Sequence, residues 1–236
     1  MSIGVPKAEG RLHRLLISAI TREPVPNGEN RIICSELDVC CGIADVVVAT
    51  ANAPRSDSAW FPSNQLNDLN FSTAKLLTRL KLASYSRLDQ IGKSVGLSEQ
   101  TISLHVRKLE KIGIAKRRGD SARLIRSTKI PFTEVTAFEI KVSDWRHGLY
   151  QATHYKSFAN RVVLALPDAK ARVVAAHKRA FHLFGVGLVG LSRADGITWY
   201  VKAVRRTPSS ASRTVLGILE ILKSREARFL HPRGKF

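Results

Sequence analysis

YSRLDQIGKSVGLSEQTISLHVRKLEKIGIAKRRGDSARLIRS, residues 85 to 127, carries the pattern that decides how this chain is read. Its apolar residues recur at three- and four-residue spacing, first as Leu88 and Ile91 and then as Ile102, Val106 and Leu109, which predicts two amphipathic helices. Gly96 supplies the turn between them. Ser98 offers a hydroxyl as N-cap of the second helix, and Glu99 falls in its first turn, where the helix dipole favours negative charge. That helix is predicted from about Ser98 to Ile112. With its apolar stripe turned inward, Gln100, Thr101, Ser103, His105 and Arg107 are expected to face outward, with Ser98 and Lys108 beside them. Such side chains pair with base edges and phosphates in a DNA major groove. The following AKRRGDSARLIRS sets a Gly-Asp turn between basic strands, which would lay Lys116, Arg117, Arg118 and Arg123 along a phosphate backbone.

Outward from this stretch the hydrophobic period changes. Upstream, residues 8 to 22 place Leu12, Leu15, Leu16 and Ala19 at helical spacing, and RIICSELDVCCGIADVVVAT (31 to 50) reads as two strands of a hairpin broken at Gly42. Downstream of Pro131 the order is a strand in TEVTAFEIKVS, a helix in DWRHGLYQATHYKSFAN and the apolar strand RVVLALP. A second helix, DAKARVVAAHKRAFHLFG, leads to two strands joined by RADG. The expected fold is therefore α/β: a mixed sheet flanked by helices, built from residues 1–52 and 129–206 and interrupted once by a helical module at 71–128. Residues 53–70, rich in Pro, Ser, Asn and Asp, read as a linker, and 207–236 as a basic C-terminal extension in which VLGILEILKSREARF is helical.

Lys and Arg number 38 against 19 acidic residues, a net charge of +19 whose commonest partner is a polyanion. DNA is the expected partner. No apolar run reaches the roughly 18 residues of a membrane-spanning helix, and the N-terminal MSIGVPKAEGRLHR has no signal-peptide core, so no membrane is expected and the cytoplasm is the expected location. Cys34, Cys40 and Cys41 form no CxxC pair and have no histidine at finger spacing, so they read as free thiols rather than zinc ligands.

The segment GLSEQTISLHVRKLEKIGIAKRR resembles the winged helix-turn-helix of bacterial MarR- and ArsR-like regulators, a likeness that covers about a quarter of the chain. Two flanking segments carry a second pattern, GIADVVV (42 to 48) and AFEIKVSDWRHGLYQATHYKSF (137 to 158). Residues two apart on a strand share a face, so Glu139 and Lys141 point together, and Asp45 on a neighbouring strand can join them. Two carboxylates and a lysine can hold a divalent metal and stabilise charge at a phosphorus under attack. These segments resemble the PD-(D/E)xK superfamily of restriction-endonuclease-like nucleases. Asp45, Glu139 and Lys141 match its acid and ExK positions, and Gln151 and Tyr155, with Lys156 beside them, match a QxxxY motif. The resemblance implies that Asp45 and Glu139 bind Mg²⁺ (or Mn²⁺), that Lys141 assists the attacking water or the transition state, and that Gln151 and Tyr155 support the site or the DNA. Asp45 follows Ala44 where the family has Pro, and the first-helix acid is unassigned among Glu23, Glu36 and Asp38.

The expected activity is thus that of a Mg-dependent DNA endonuclease, as a homodimer or within a DNA-processing complex. The alternative is a non-catalytic winged-helix transcriptional regulator or scaffold with a degenerate nuclease fold. His147 and His154 are seven apart with no third ligand, GVGLVG (185 to 190) lacks the Lys-Ser/Thr of a phosphate loop, and Trp145, Tyr150, Tyr155 and Phe158 read mostly as core.

Overall fold

The computed structural model describes residues 7–26, 29–52, 66–126, 132–224 and 228–230. Helix α1 spans Lys7–Arg22, and strands β1 (Glu29–Asp38) and β2 (Ile43–Asn52) form the hairpin around Gly42. Then come α2 (Phe71–Leu77), β3 (Ser86–Arg87), α3 (Leu88–Val95), α4 (Glu99–Lys111), β4 (Ala115–Arg118) and β5 (Ser121–Leu124). The chain continues through β6 (Phe132–Ile140), α5 (Trp145–His154), a 3₁₀ turn (Tyr155–Ser157), β7 (Arg161–Pro167) and α6 (Asp168–Val174). It ends with α7 (Lys178–Phe184), β8 (Gly187–Ser192), β9 (Gly196–Val201), α8 (Ala211–Lys223) and β10 (Arg228–Leu230).

Seven strands make one mixed sheet in the order β10-β1-β2-β6-β7-β8-β9, parallel at β6/β7 and β7/β8 and antiparallel elsewhere. Alternation along β2 explains its two layers. Val46 and Val48 meet Leu12, Leu16, Ile17 and Ile20 of α1, while Val47 and Ala49 face the core under α5, α6, α7 and α8. β7 is apolar almost throughout because helices cover it on both faces.

A second, three-stranded sheet (β3-β5-β4) packs with α2, α3 and α4 around a separate core of Leu76, Leu88, Ile91, Ile102, Val106 and Leu109. Gly96 caps α3 in the left-handed region (φ 66°), and Ser98 Oγ accepts the Thr101 N–H as N-cap of α4.

Three expectations about the arrangement of elements differ from the structure. The linker read at 53–70 ends sooner: Leu66 and Leu69 are buried in the second core, and Asn70 caps α2 through a capping box with Thr73. Residues 53–65 of it lie outside the described residues. The single helix read at 168–185 breaks into α6, a 3₁₀ turn and α7. Most consequential is the supposed extension at 207–236. Its helix stops at Lys223, β10 pairs with β1, and α8 enters both cores, with Leu216 and Leu219 in one and Ile218 and Ile221 in the other. An amphipathic helix that is apolar on two sides has to be buried on both, at roughly 1.5–3 kcal/mol per fully buried side chain.

Candidate functional site

The sheet opens at one place. β2 pairs with β6 up to Val46↔Phe138, whereas β6 stays with β7 through Ile140↔Ala165. One position past the last β2/β6 pair, continuing that register sets Asp45 opposite Glu139. The Asp45 carboxylate closes the gap, its Oδ2 accepting the Ile140 backbone N–H at 2.6 Å. Glu139 is 2% exposed, and both its oxygens are engaged. Lys141 Nζ lies 2.8 Å from Oε1, and the Tyr155 hydroxyl lies 2.6 Å from Oε2. That hydroxyl is also 2.7 Å from the Ile43 carbonyl, and its single proton serves one acceptor at a time. The structure therefore brings Asp45, Glu139, Lys141 and Tyr155 to one fork between strands.

Two glycines set the clearances. A Cβ on Gly148 would sit 2.7 Å from Lys141 Cγ and from Leu164 Cδ1, so glycine lets α5 close down on the lysine stem. Gly42, at φ 129°, places the hairpin turn against the Tyr155 ring, where a Cβ would be 3.4 Å from Cε1. One turn before Tyr155, Gln151 has its Oε1 buried with no hydrogen-bond partner among the described residues. A buried amide oxygen without a donor is costly, which marks it as available to a ligand or water.

Burial, then the neighbouring Glu139 charge, pushes the Asp45 carboxyl up to about 7, against the downward pull of the Ile140 N–H. Burial lowers the Lys141 ammonium, but the Glu139 hydrogen bond and charge outweigh it and hold the group above its ordinary value. The Tyr155 hydroxyl is raised by burial and by Glu139. Glu9, on the first turn of α1, adds to the upward push on both Asp45 and Lys141. Sequence reading did not single out Glu9 among the acids whose charge reaches the fork. Glu23 instead pairs with Arg31 (3.8 Å), and Asp38 accepts the Cys40 N–H in the hairpin turn. An acid in the first turn of an N-terminal helix looks like an ordinary dipole-favoured residue, so nothing in the sequence singled it out.

Asp45 and Glu139 are the two carboxylates at the fork that could hold a hard divalent cation, since burial and then the Glu139 charge raise Asp45 and a positive ion would offset both. Among the described residues, no three His, Cys, Asp or Glu side chains cluster closely enough to hold a metal.

In the second unit, Gln100 and Arg107 are exposed on α4, Thr101, Ser103 and Lys108 are half-buried, and Ser98 is the exposed cap. His105 does not face outward as expected. It is 4% exposed, with Nδ1 2.9 Å from Thr73 Oγ1, and burial holds its ring below the ordinary value. The outward stripe is instead Gln100, Leu104, Arg107 and Lys111, with Leu104 51% exposed. On the hairpin, Lys116 and Arg118 are exposed and Arg123 lies opposite Lys116. Arg123 is half-buried over the Tyr85 ring (5.3 Å). Arg117 faces inward, donating to Ser103 Oγ (2.9 Å) and the Gly119 carbonyl (2.8 Å). The cleft between α4 and the hairpin carries both signs of charge, with Arg87 and Arg117 beside Asp89, Glu99 and Asp120.

Among the described residues no helix is long and apolar enough to cross a membrane. Comparison with known protein families, with curated proteins and with solved structures found no match for this chain.

Proposed function

We propose that this protein is a metal-dependent DNA phosphodiesterase of restriction-endonuclease-like fold, in which an inserted winged helix holds DNA beside a PD-(D/E)xK site. The observation that carries the reading is the fork itself: Asp45, Glu139 and Lys141 arrive from two strands that part company at that point, with Tyr155 bonded to the buried acid. Asp45 and Glu139 would hold Mg²⁺ or Mn²⁺, which supplies positive charge against the oxygens of the phosphodiester. Lys141, kept cationic by Glu139, would orient the attacking water or offset charge that develops in the transition state. Tyr155 fixes the Glu139 rotamer, and Gln151, one turn earlier in the chain, carries a buried acceptor with no partner among the described residues. Exposed Gln100, Arg107, Lys116 and Arg118 would contact the duplex. Three free thiols suit the reducing cytoplasm.

One observation favours a second reading. Both Glu139 oxygens are already bonded, so a closed, non-catalytic site in a DNA-binding regulator, or in a scaffold needing a partner, fits the same geometry. The experiment is cleavage of supercoiled, linear, single-stranded and branched DNA with Mg²⁺, Mn²⁺ or EDTA, comparing wild type with Glu139→Ala and Lys141→Ala. Metal-dependent cutting lost in both variants supports the nuclease. Sequence-selective binding that leaves DNA intact under every condition overturns it in favour of the regulator. Double-strand cutting at a single site would further call for a two-fold dimer.

A further inference from the structure

A cavity of about 200 Å³ lies past the C-terminal end of α5, away from the Gly148 end that packs on Lys141. Its polar lining is Lys156, Asn160, Arg206, Thr207 and Ser209, and none of its described lining residues is acidic. Two cations share a concave site with hydroxyls and an amide, and among the described residues no carboxylate is paired with either cation.

Lys156 is half-buried and Arg206 exposed, but the chain that carries them is held in place. The Arg206 backbone is pinned on both sides, its N–H donating to the Asn160 carbonyl (2.9 Å) and its carbonyl accepting from Asn160 Nδ2 (3.3 Å). Asn160 is itself fixed, because its Oδ1 accepts the Val135 N–H of the central sheet. The Arg206 guanidinium lies flat against Gly185, where a Cβ would be 3.1 Å from Cζ and Nη2. On the other wall, the Lys156 carbonyl accepts the Ser209 N–H at 3.0 Å. Burial, followed by the Arg206 charge, holds the Lys156 ammonium below its ordinary value, so the two cations are close enough to repel. A guanidinium fork beside an ammonium is an arrangement that tetrahedral oxyanions take up.

We propose that this cavity is a phosphate-binding subsite, filled by a backbone phosphate of the nucleic acid whose neighbouring segment occupies the fork. The choice of a nucleic-acid phosphate rests on the proposed function; the anion site itself does not. A free phosphate or nucleotide would offer the same chemistry.

The test uses the full chain in two arms. In the first, inorganic phosphate is titrated against chloride at constant ionic strength while amide NMR signals are followed. Shifts are expected at Asn160, Gly185, Thr207 and Ser209, and they should vanish in Lys156→Gln/Arg206→Gln. In the second, binding of a labelled duplex is measured against salt in EDTA for that double variant and for Lys178→Gln/Arg193→Gln, which removes two exposed cations elsewhere. Loss of one phosphate contact should make the cavity variant's log–log salt slope shallower by about 0.9 and weaken binding roughly ten-fold, well beyond the control. Phosphate shifts with an unchanged DNA slope would overturn the backbone assignment in favour of a free phosphate. Absence of shifts, with the two double variants alike on DNA, would overturn the cavity as an anion site. A wild type that binds no DNA sinks the proposed function and the backbone assignment, while the phosphate arm still decides the cavity.

Discussion

Replacing Asp45 by Asn isolates the electrostatic strain at the fork. The carboxyl sits at about 7 in the folded chain against an ordinary value of 3.8, a difference of about three pH units. At about 1.36 kcal/mol per unit that is about 4 kcal/mol for a fully enclosed group. Asp45 is only half-buried, so solvent screening brings the expected effect down to about 2 kcal/mol. The sign follows from proton binding: the folded state holds this proton more tightly than the unfolded one. The cost of ionising Asp45 is therefore nearly absent at pH 4, grows between pH 4 and 7, and is complete above the folded value. Asn keeps an oxygen that can accept the Ile140 N–H but carries no charge. Urea denaturation in EDTA should thus find the two proteins about equally stable at pH 4 and Asp45→Asn the more stable by about 2 kcal/mol at pH 8. Mg²⁺ should then reverse the order at pH 8, because only wild type gains a carboxylate pair for it to bind. Equal stabilities at both pH values, or a wild type favoured at pH 8 without metal, would refute the assignment of Asp45 to a strained carboxylate pair.

Gly148→Ala should cost about 1–3 kcal/mol in thermal or urea unfolding, since its Cβ meets Lys141 and Leu164 at 2.7 Å. It should also lower turnover more than DNA affinity by displacing Lys141; unchanged unfolding would show that α5 simply shifts. Tyr155→Phe leaves a Glu139 oxygen without its donor in a buried place and should destabilise by about 1–3 kcal/mol, measured by equilibrium denaturation. Leu219→Ala, in a side chain 1% exposed, should cost about 2–5 kcal/mol. Its hydrogen exchange should accelerate first in the α2–β5 unit, which α8 helps to close; uniform acceleration in both units would count against that role for α8.

What the sequence made legible were features written in local spacing. Leu88, Ile91, Ile102, Val106 and Leu109 predicted α3 and α4 because the helical period is set by neighbours three and four apart, and all five are buried in one core. Glu139 and Lys141 followed from strand alternation, and the structure brings them together with Asp45 and Tyr155. His105 was misplaced because it borders the apolar stripe of α4, and only the position of Thr73 on another helix decides that its ring turns inward. The two-sided role of α8 was hidden for a related reason. An apolar helix announces that it is buried, but whether it serves one core or two depends on what lies across from each face.

The place of the insertion bears on how the two units could cooperate. The chain leaves the main sheet at the Asn52 end of β2 and returns at the Phe132 end of β6, whereas Asp45 and Glu139 stand at the opposite ends of those strands. Seven residues of strand separate the exit from the fork, about 23 Å at about 3.3 Å per residue. An insertion growing straight out from its exit would carry α4 away from the site. α8 works against this by packing on α2 while touching β1 and the 3₁₀ turn that follows α5, which ties the inserted unit back along the helix-covered face of the sheet.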